Sequence, residues 1–155
     1  MLIELIVPGP PMAKGRPRWS QWGPGPFTPK KTVAYETLIK ELFAIKYPNF
    51  KPLEGSLSLN MIAQFSVPKS ASKKKRAEML AGKIRPTKKP DTSNIIKIIE
   101  DALNFFAYRD DSQITMVSAR KVYGEIPQVW ITISENGIEK LLKGLAYSDD
   151  VKARR

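Results

Sequence analysis

The sequence predicts an α+β domain, a mixed or mainly antiparallel sheet packed with helices in the order β-α-β-α-α-β-β. Two patterns carry that prediction. Leu57, Leu59, Met61, Ala63, Phe65 and Val67 alternate with Ser58, Asn60, Gln64 and Ser66, with Ile62 the exception, the period of a half-buried strand. Ile95, Ile96, Ile99, Leu103 and Phe106 recur at helical spacing. At 155 residues, 42% of them hydrophobic, the chain suits one domain with its own core.

The elements follow in order. "LIELIV" at 2–7 reads as a strand ended by "PGPP". After a Gly/Pro-rich basic loop, Thr28 is the expected N-cap of a helix with Pro29 at its first position. That helix is expected to reach about Tyr47 with Tyr35, Leu38, Leu42 and Ile45 on one face. Ser70 or Ser72 caps a short basic helix that stops at Gly82. Asp91 or Ser93 caps the next helix, expected to run to about Phe106. "YRDD" is a turn, and strands follow at about 112–123 and 128–134. The main domain is expected over 1–135. Residues 136–155 are expected to form a C-terminal helical extension or tail, with Ile138, Leu141, Leu142 and Leu145 at helical spacing.

Composition narrows the chemistry. There is no cysteine, so no disulfide, and no histidine, so Ser-His and Cys-His nucleophile systems are excluded. A metal would be held by oxygen alone, which points to Mg²⁺, Mn²⁺ or Ca²⁺. No apolar run approaches a membrane span, and "MLIELIVPGPPM" lacks a basic leader, so no membrane partner is expected and a cytoplasmic location is.

The net charge of +11 is unevenly spread. Residues 69–89 hold nine Lys or Arg and one acid, and residues 14–31 hold five and none. Such runs suit a polyanion, most plausibly nucleic acid, with Lys14, Arg16, Arg18, Lys73, Lys74, Lys75, Arg76, Lys88 and Lys89 as phosphate contacts. Read singly, each run is also compatible with a solvated face. Trp19, Trp22 and Phe27 would stack on unpaired bases or pack to pin their loop.

Against this charge, five of the fifteen acids lie between residues 88 and 114: Asp91, Glu100, Asp101, Asp110 and Asp111. Carboxylates facing nucleic acid are repulsive unless a divalent cation lies between them, so this cluster is expected to hold Mg²⁺ against a phosphate. Asn94, Lys97 and Asp101 share one helix face. Bland alternatives exist: Asp91 as an N-cap, Lys97–Asp101 as an ordinary i,i+4 pair, "RDD" as a solvated turn. About 13 helical residues span roughly 20 Å, so Asp91 and Asp111 meet only if the turn doubles back or a second subunit contributes.

At these residues the sequence resembles the RusA-like Holliday junction resolvases, in their prophage-type branch. "KGRPRW…FTPKKTVAYE" at 14–36 is similar to an N-terminal signature, and "VPKSASKKKRAEMLAG" at 67–82 to a basic helix. "KPDTSNIIKIIEDALN…AYRDDSQI" is similar to the core pattern K-P-D-x-D-N-x-x-K, D-A-L, D-D-x-Q. The resemblance implies a Mg²⁺-dependent endonuclease, Mn²⁺ being an alternative, that acts as a homodimer and cuts four-way DNA junctions symmetrically in bacteria or bacteriophage. It implies catalytic roles for Asp91, Asn94, Lys97, Asp110 and Asp111, with Asp101 and position 93 completing the metal site. Where the family has a carboxylate, this chain has Ser93, a neutral and poor Mg²⁺ ligand. A second reading is therefore a weakened or inactive junction-binding protein on the same fold.

Overall fold

The computed structural model describes residues 1–23 and 25–135; the expected helix over 136–155 lies outside the described residues. The strands are β1 (Leu2–Pro8), β2 (Arg18–Trp19), β3 (Pro26–Phe27), β4 (Leu57–Ser66), β5 (Ile114–Gly124) and β6 (Gln128–Glu135). The helices are α1 (Lys30–Lys46), α2 (Lys73–Leu80) and α3 (Thr92–Leu103). The predicted order holds, with one addition: the basic loop contains the small antiparallel hairpin β2–β3.

The main sheet is mixed, in the order β1-β6-β4-β5. β6 runs antiparallel to both β1 and β4, and β4 pairs parallel with β5. A parallel pair needs a long crossover, and the β4–β5 connection supplies it through α2 and α3. β5 and β6 are joined by three residues, yet β4 lies between them.

That placement changes β4 from the half-buried strand its alternation predicts. Leu57 through Ala63 are buried throughout, including Ser58 and Asn60 on the polar face. Period two encodes which residues share a face, not whether the second face is covered.

The core joins Ile3, Leu5 and Val7 of β1, Leu59 and Met61 of β4, and Ile131 and Ile133 of β6 to one face each of α1 and α3. Burying one such side chain is worth roughly 1.5–3 kcal/mol before conformational entropy is set against it. In α1 the inward face is Thr32, Tyr35, Ile39 and Phe43. Leu38 and Leu42 are only partly buried, and Ile45 points to solvent. The face is rotated from expectation, and Phe43 on it meets Tyr47 at a tilt and Phe50 edge-on, ring centroids 5.2 and 5.3 Å away. Pro29, not Thr28, occupies the N-cap.

α3 buries Ile95, Ile98, Ile99, Ala102 and Leu103. It stops three residues short of Phe106, because Asn104 turns extended and Phe105 takes a positive φ of 66°. The chain then folds back over the helix. Tyr108 is fully buried and its hydroxyl donates to the Glu100 carbonyl at 2.9 Å. Gln113 accepts from the amides of Arg109 and Asp110 and donates to the carbonyls of Leu53 and Gly55. Asp111–Gln113 form a 3₁₀ turn, so the strand expected from residue 112 starts at Ile114.

Candidate active site

Asp91 occupies the N-cap position of α3, but its side chain makes no capping bond; only its carbonyl is used, by the Ile95 amide at 3.1 Å. The bland reading of Asp91 as a capping carboxylate therefore fails, and the exposed carboxylate is left for other work. Ser93 and Asn94 follow in the first turn, both exposed.

The fold-back places Asp111 beside the middle of α3. Lys97 Nζ donates to Asp101 Oδ1 at 2.9 Å and to Asp111 Oδ2 at 3.0 Å. The fold-back thus brings Asp111 to Lys97 within one chain, at the middle of α3 and not at its Asp91 end. Asp101 has a second cation, Lys14 Nζ, 2.9 Å from its Oδ2, and Lys14 also pairs with Glu36 of α1. The result is an alternating line: Glu36, Lys14, Asp101, Lys97, Asp111. Three carboxylates against two ammonium groups leave one negative charge over.

The titrations follow this geometry. Lys97 is held above the ordinary lysine value by its hydrogen bond to Asp101 and then that to Asp111. Burial pushes Lys14 down, but Glu36 and Asp101 more than reverse it, and its pKa stands raised. Burial pushes Asp101 up, and its bonds to Lys97 and Lys14 carry it below the usual carboxylate range. Glu100 is half-buried, and that burial raises its pKa against the pull of Lys97.

Asp110 does a separate task. Its carboxylate accepts from the Ser112 amide at 3.2 Å and from the Ser112 hydroxyl, and it closes a capping box with Gln113. These bonds hold its pKa below the ordinary value.

Asp91 lies six residues before Lys97, about 9 Å along the helix axis. Among the described residues no three acidic side chains gather closely enough to form a metal cage. Mg²⁺ does not require one: it is commonly held by one or two carboxylates, with waters and substrate phosphates completing its shell. The carboxylates of Asp91, Asp101 and Asp111 are oxygen donors of the kind such a cation takes, and the point between Asp101 and Asp111 is itself held by the Lys97 ammonium.

The basic residues separate into two groups. Lys14 turns inward, its side chain 27% exposed. Arg16, Arg18, Lys73, Lys74, Lys75, Arg76, Lys88 and Lys89 are exposed, with Arg76 3.4 Å from Glu125. The Lys88 carbonyl accepts from Lys121 Nζ at 2.5 Å, which ties the loop before Asp91 to β5. Trp19 and Trp22 are 79% and 94% exposed, so they do not pack to pin their loop.

The family model for the endodeoxyribonuclease RusA matches residues 8–134. The chain belongs to the RusA family. The chain is also 35% identical over 138 residues to the uncharacterized protein YqaN of Bacillus subtilis (strain 168), covering 86% of this chain and 96% of YqaN. RusA proteins as a class are endodeoxyribonucleases that resolve Holliday junctions, generally with a divalent metal. The RusA match begins before Lys14 and ends after Asp111, so every member of the charge line falls inside it. Glu36 was not singled out by sequence reasoning, nor was the inward turn of Lys14. The available signal was that these two residues close the ends of the 14–36 signature.

Proposed function

We propose that this RusA-family protein is a Mg²⁺-dependent, structure-specific endonuclease that resolves four-way DNA junctions by paired symmetrical nicks, acting as a homodimer. Asp91 and Asp111 are its principal metal-binding carboxylates, with Asp101 or Asp110 contributing and Ser93 at the edge of the shell. The observation that carries this reading is the return of Asp111 to the polar face of α3, where it meets Lys97. A bound Mg²⁺ supplies Lewis-acid polarisation of the scissile phosphate and acidification of an attacking water.

The chain's own groups do the rest. Lys97 stabilises negative charge building on the phosphate, and Asp111 and Asp101 aim its ammonium. Asn94 stands one turn before Lys97 on the same face. Arg16, Arg18, Lys73, Lys74, Lys75, Arg76, Lys88 and Lys89 hold backbone phosphates on the exposed surface. The exposure of Trp19 and Trp22 supports their stacking on unpaired bases at a junction. Dimerisation fits two symmetrical nicks, since a two-fold pair of protomers presents two equivalent sites.

A second reading, a junction-binding protein with weakened catalysis, is favoured by Ser93 and by the lack of a three-acid cage among the described residues. One assay separates the two: cleavage of a synthetic four-way junction across a Mg²⁺ titration, with Mn²⁺ in parallel. Asp91→Asn and Asp111→Asn should each lower cleavage by roughly 100-fold while junction binding is kept. Ser93→Asp should raise cleavage and lower the Mg²⁺ needed for half-maximal rate, more so in an Asp101→Asn background. Full cleavage by both Asn variants sinks the metal site. No cleavage by the wild type with a gain in Ser93→Asp establishes the second reading.

A further inference from the structure

Lys14 begins a run of positive charge whose other members face solvent, yet its ammonium is turned into the protein between Glu36 and Asp101. Its backbone is fixed as firmly. The Lys14 amide donates to the Asn94 carbonyl at 3.0 Å, and the Gly15 amide to Thr32 Oγ1 at 3.0 Å. A Cβ at position 15 would stand 2.6 Å from that Oγ1, so this close approach requires glycine. Residues 14 and 15 are thus wedged between α1 and α3.

The consequence reaches Asp111 through the division of one carboxylate. Asp101 gives Oδ2 to Lys14 and Oδ1 to Lys97. With Oδ2 taken, Lys97 meets Asp101 through one oxygen and extends another N–H to Asp111. Without Lys14, both Asp101 oxygens are free to draw the Lys97 ammonium, in competition with Asp111. Glu36 acts one step further back, holding Lys14 at Asp101.

We propose that Lys14 and Glu36 are positioning residues that set Lys97 against Asp111, and that Lys14 is not a contact for a DNA phosphate. The inference rests on the nuclease reading for its catalytic consequence, but the geometry it claims is testable without cleavage.

The experiment compares wild type, Lys14→Met, Lys14→Arg and Glu36→Gln. Single-turnover junction cleavage at saturating protein should fall about tenfold or more in Lys14→Met and in Glu36→Gln, the size seen when an outer residue orienting a metal-site group is lost. Lys14→Arg keeps the charge between the two carboxylates and should recover much of the rate. Junction affinity in EDTA, and its dependence on salt, should match wild type in every variant. Independently of activity, the Lys97 ammonium resonance of ¹⁵N-lysine-labelled protein should shift or broaden in Lys14→Met and Glu36→Gln.

Weaker junction binding with a salt slope lower by about 1 and an unchanged cleavage rate would make Lys14 a phosphate contact and overturn the proposal. An unchanged Lys97 resonance would overturn it as well. If the wild type cleaves in neither Mg²⁺ nor Mn²⁺, the nuclease reading fails, and the Lys97 resonance alone decides the positioning claim. If Lys14→Met does not fold, Glu36→Gln, which nearly preserves shape, answers through the same readouts.

Discussion

α2 and α3 lie next to each other in sequence and are opposite kinds of helix. α3 buries five apolar side chains and has no side-chain bond at its N-cap. α2 buries none, begins with four consecutive basic residues, and is capped by Ser72, whose hydroxyl accepts from the Lys75 amide at 3.3 Å. The first is held by packing, the second by a local cap and its flanking loops. The difference suits the two kinds of work proposed for them. Chemistry at a phosphate needs groups fixed to within a fraction of an ångström, which only a packed element provides. Attraction of a polyanion needs charge near the surface, and an exposed helix supplies it without precise placement.

The largest effect should come from breaking the packing of α3. Ile99→Ala removes a fully buried side chain and should destabilise the protein by about 2–5 kcal/mol in denaturant titration. An equivalent truncation on α2, Met79→Ala, should cost far less, because no residue of that helix is buried. Equal losses would dissolve the contrast between the helices.

The next effect concerns affinity. Replacing Lys73, Lys74 and Lys75 together with Ala should weaken junction, duplex and single-stranded DNA alike. The slope of log affinity against log salt should become shallower by roughly 2–3, as three phosphate contacts stop releasing counterions. Unchanged junction binding would reduce α2 to a solubilising face.

A smaller effect isolates the cap. Ser72→Ala should cost about 1 kcal/mol, expressed as faster amide exchange within α2 while the amides of α3 are untouched. Loss of protection in both would show that the helices open together.

The smallest effect is a pH dependence confined to the α3 side. Asp101 has a lowered pKa, so its contribution is present above the ordinary Asp value and lost as pH falls through the lowered one. Lys14 and Lys97 have raised values, so theirs is present below the ordinary Lys value and lost as pH rises through the raised ones. The stability difference between wild type and Asp101→Asn should therefore be flat from about pH 5 to about pH 9 and shrink on both sides.

The site was legible in part. Asp91, Lys97, Asp101 and Asp111 stand out as acids and a lysine in a basic chain, and the pairing of Lys97 with Asp101 follows from helix geometry. The pairing of Lys97 with Asp111 does not, because it depends on the reversal at Asn104 and Phe105 and on Gln113 clamping the turn to residues before β4. The inward turn of Lys14 was not legible, because charge density along the chain says nothing about which one member of a run turns inward. The exposure of Trp19 and Trp22 was likewise open until the hairpin β2–β3 was placed.

By itself the sequence determined the kinds and order of the main elements within residues 1–135, though not the β2–β3 hairpin, as well as the oxygen-only chemistry of any metal site and the segregation of charge. Those are properties of residue type and of short-range period, which a strand or helix expresses wherever it is put. Tertiary structure decided that β4 is covered on both faces, that α1 turns Ile39 and Phe43 inward, and that Asp101 is shared between Lys14 and Lys97. Each of these depends on contacts between residues far apart in the chain, and it is the long-range closure of the fold, not local pattern, that selects them.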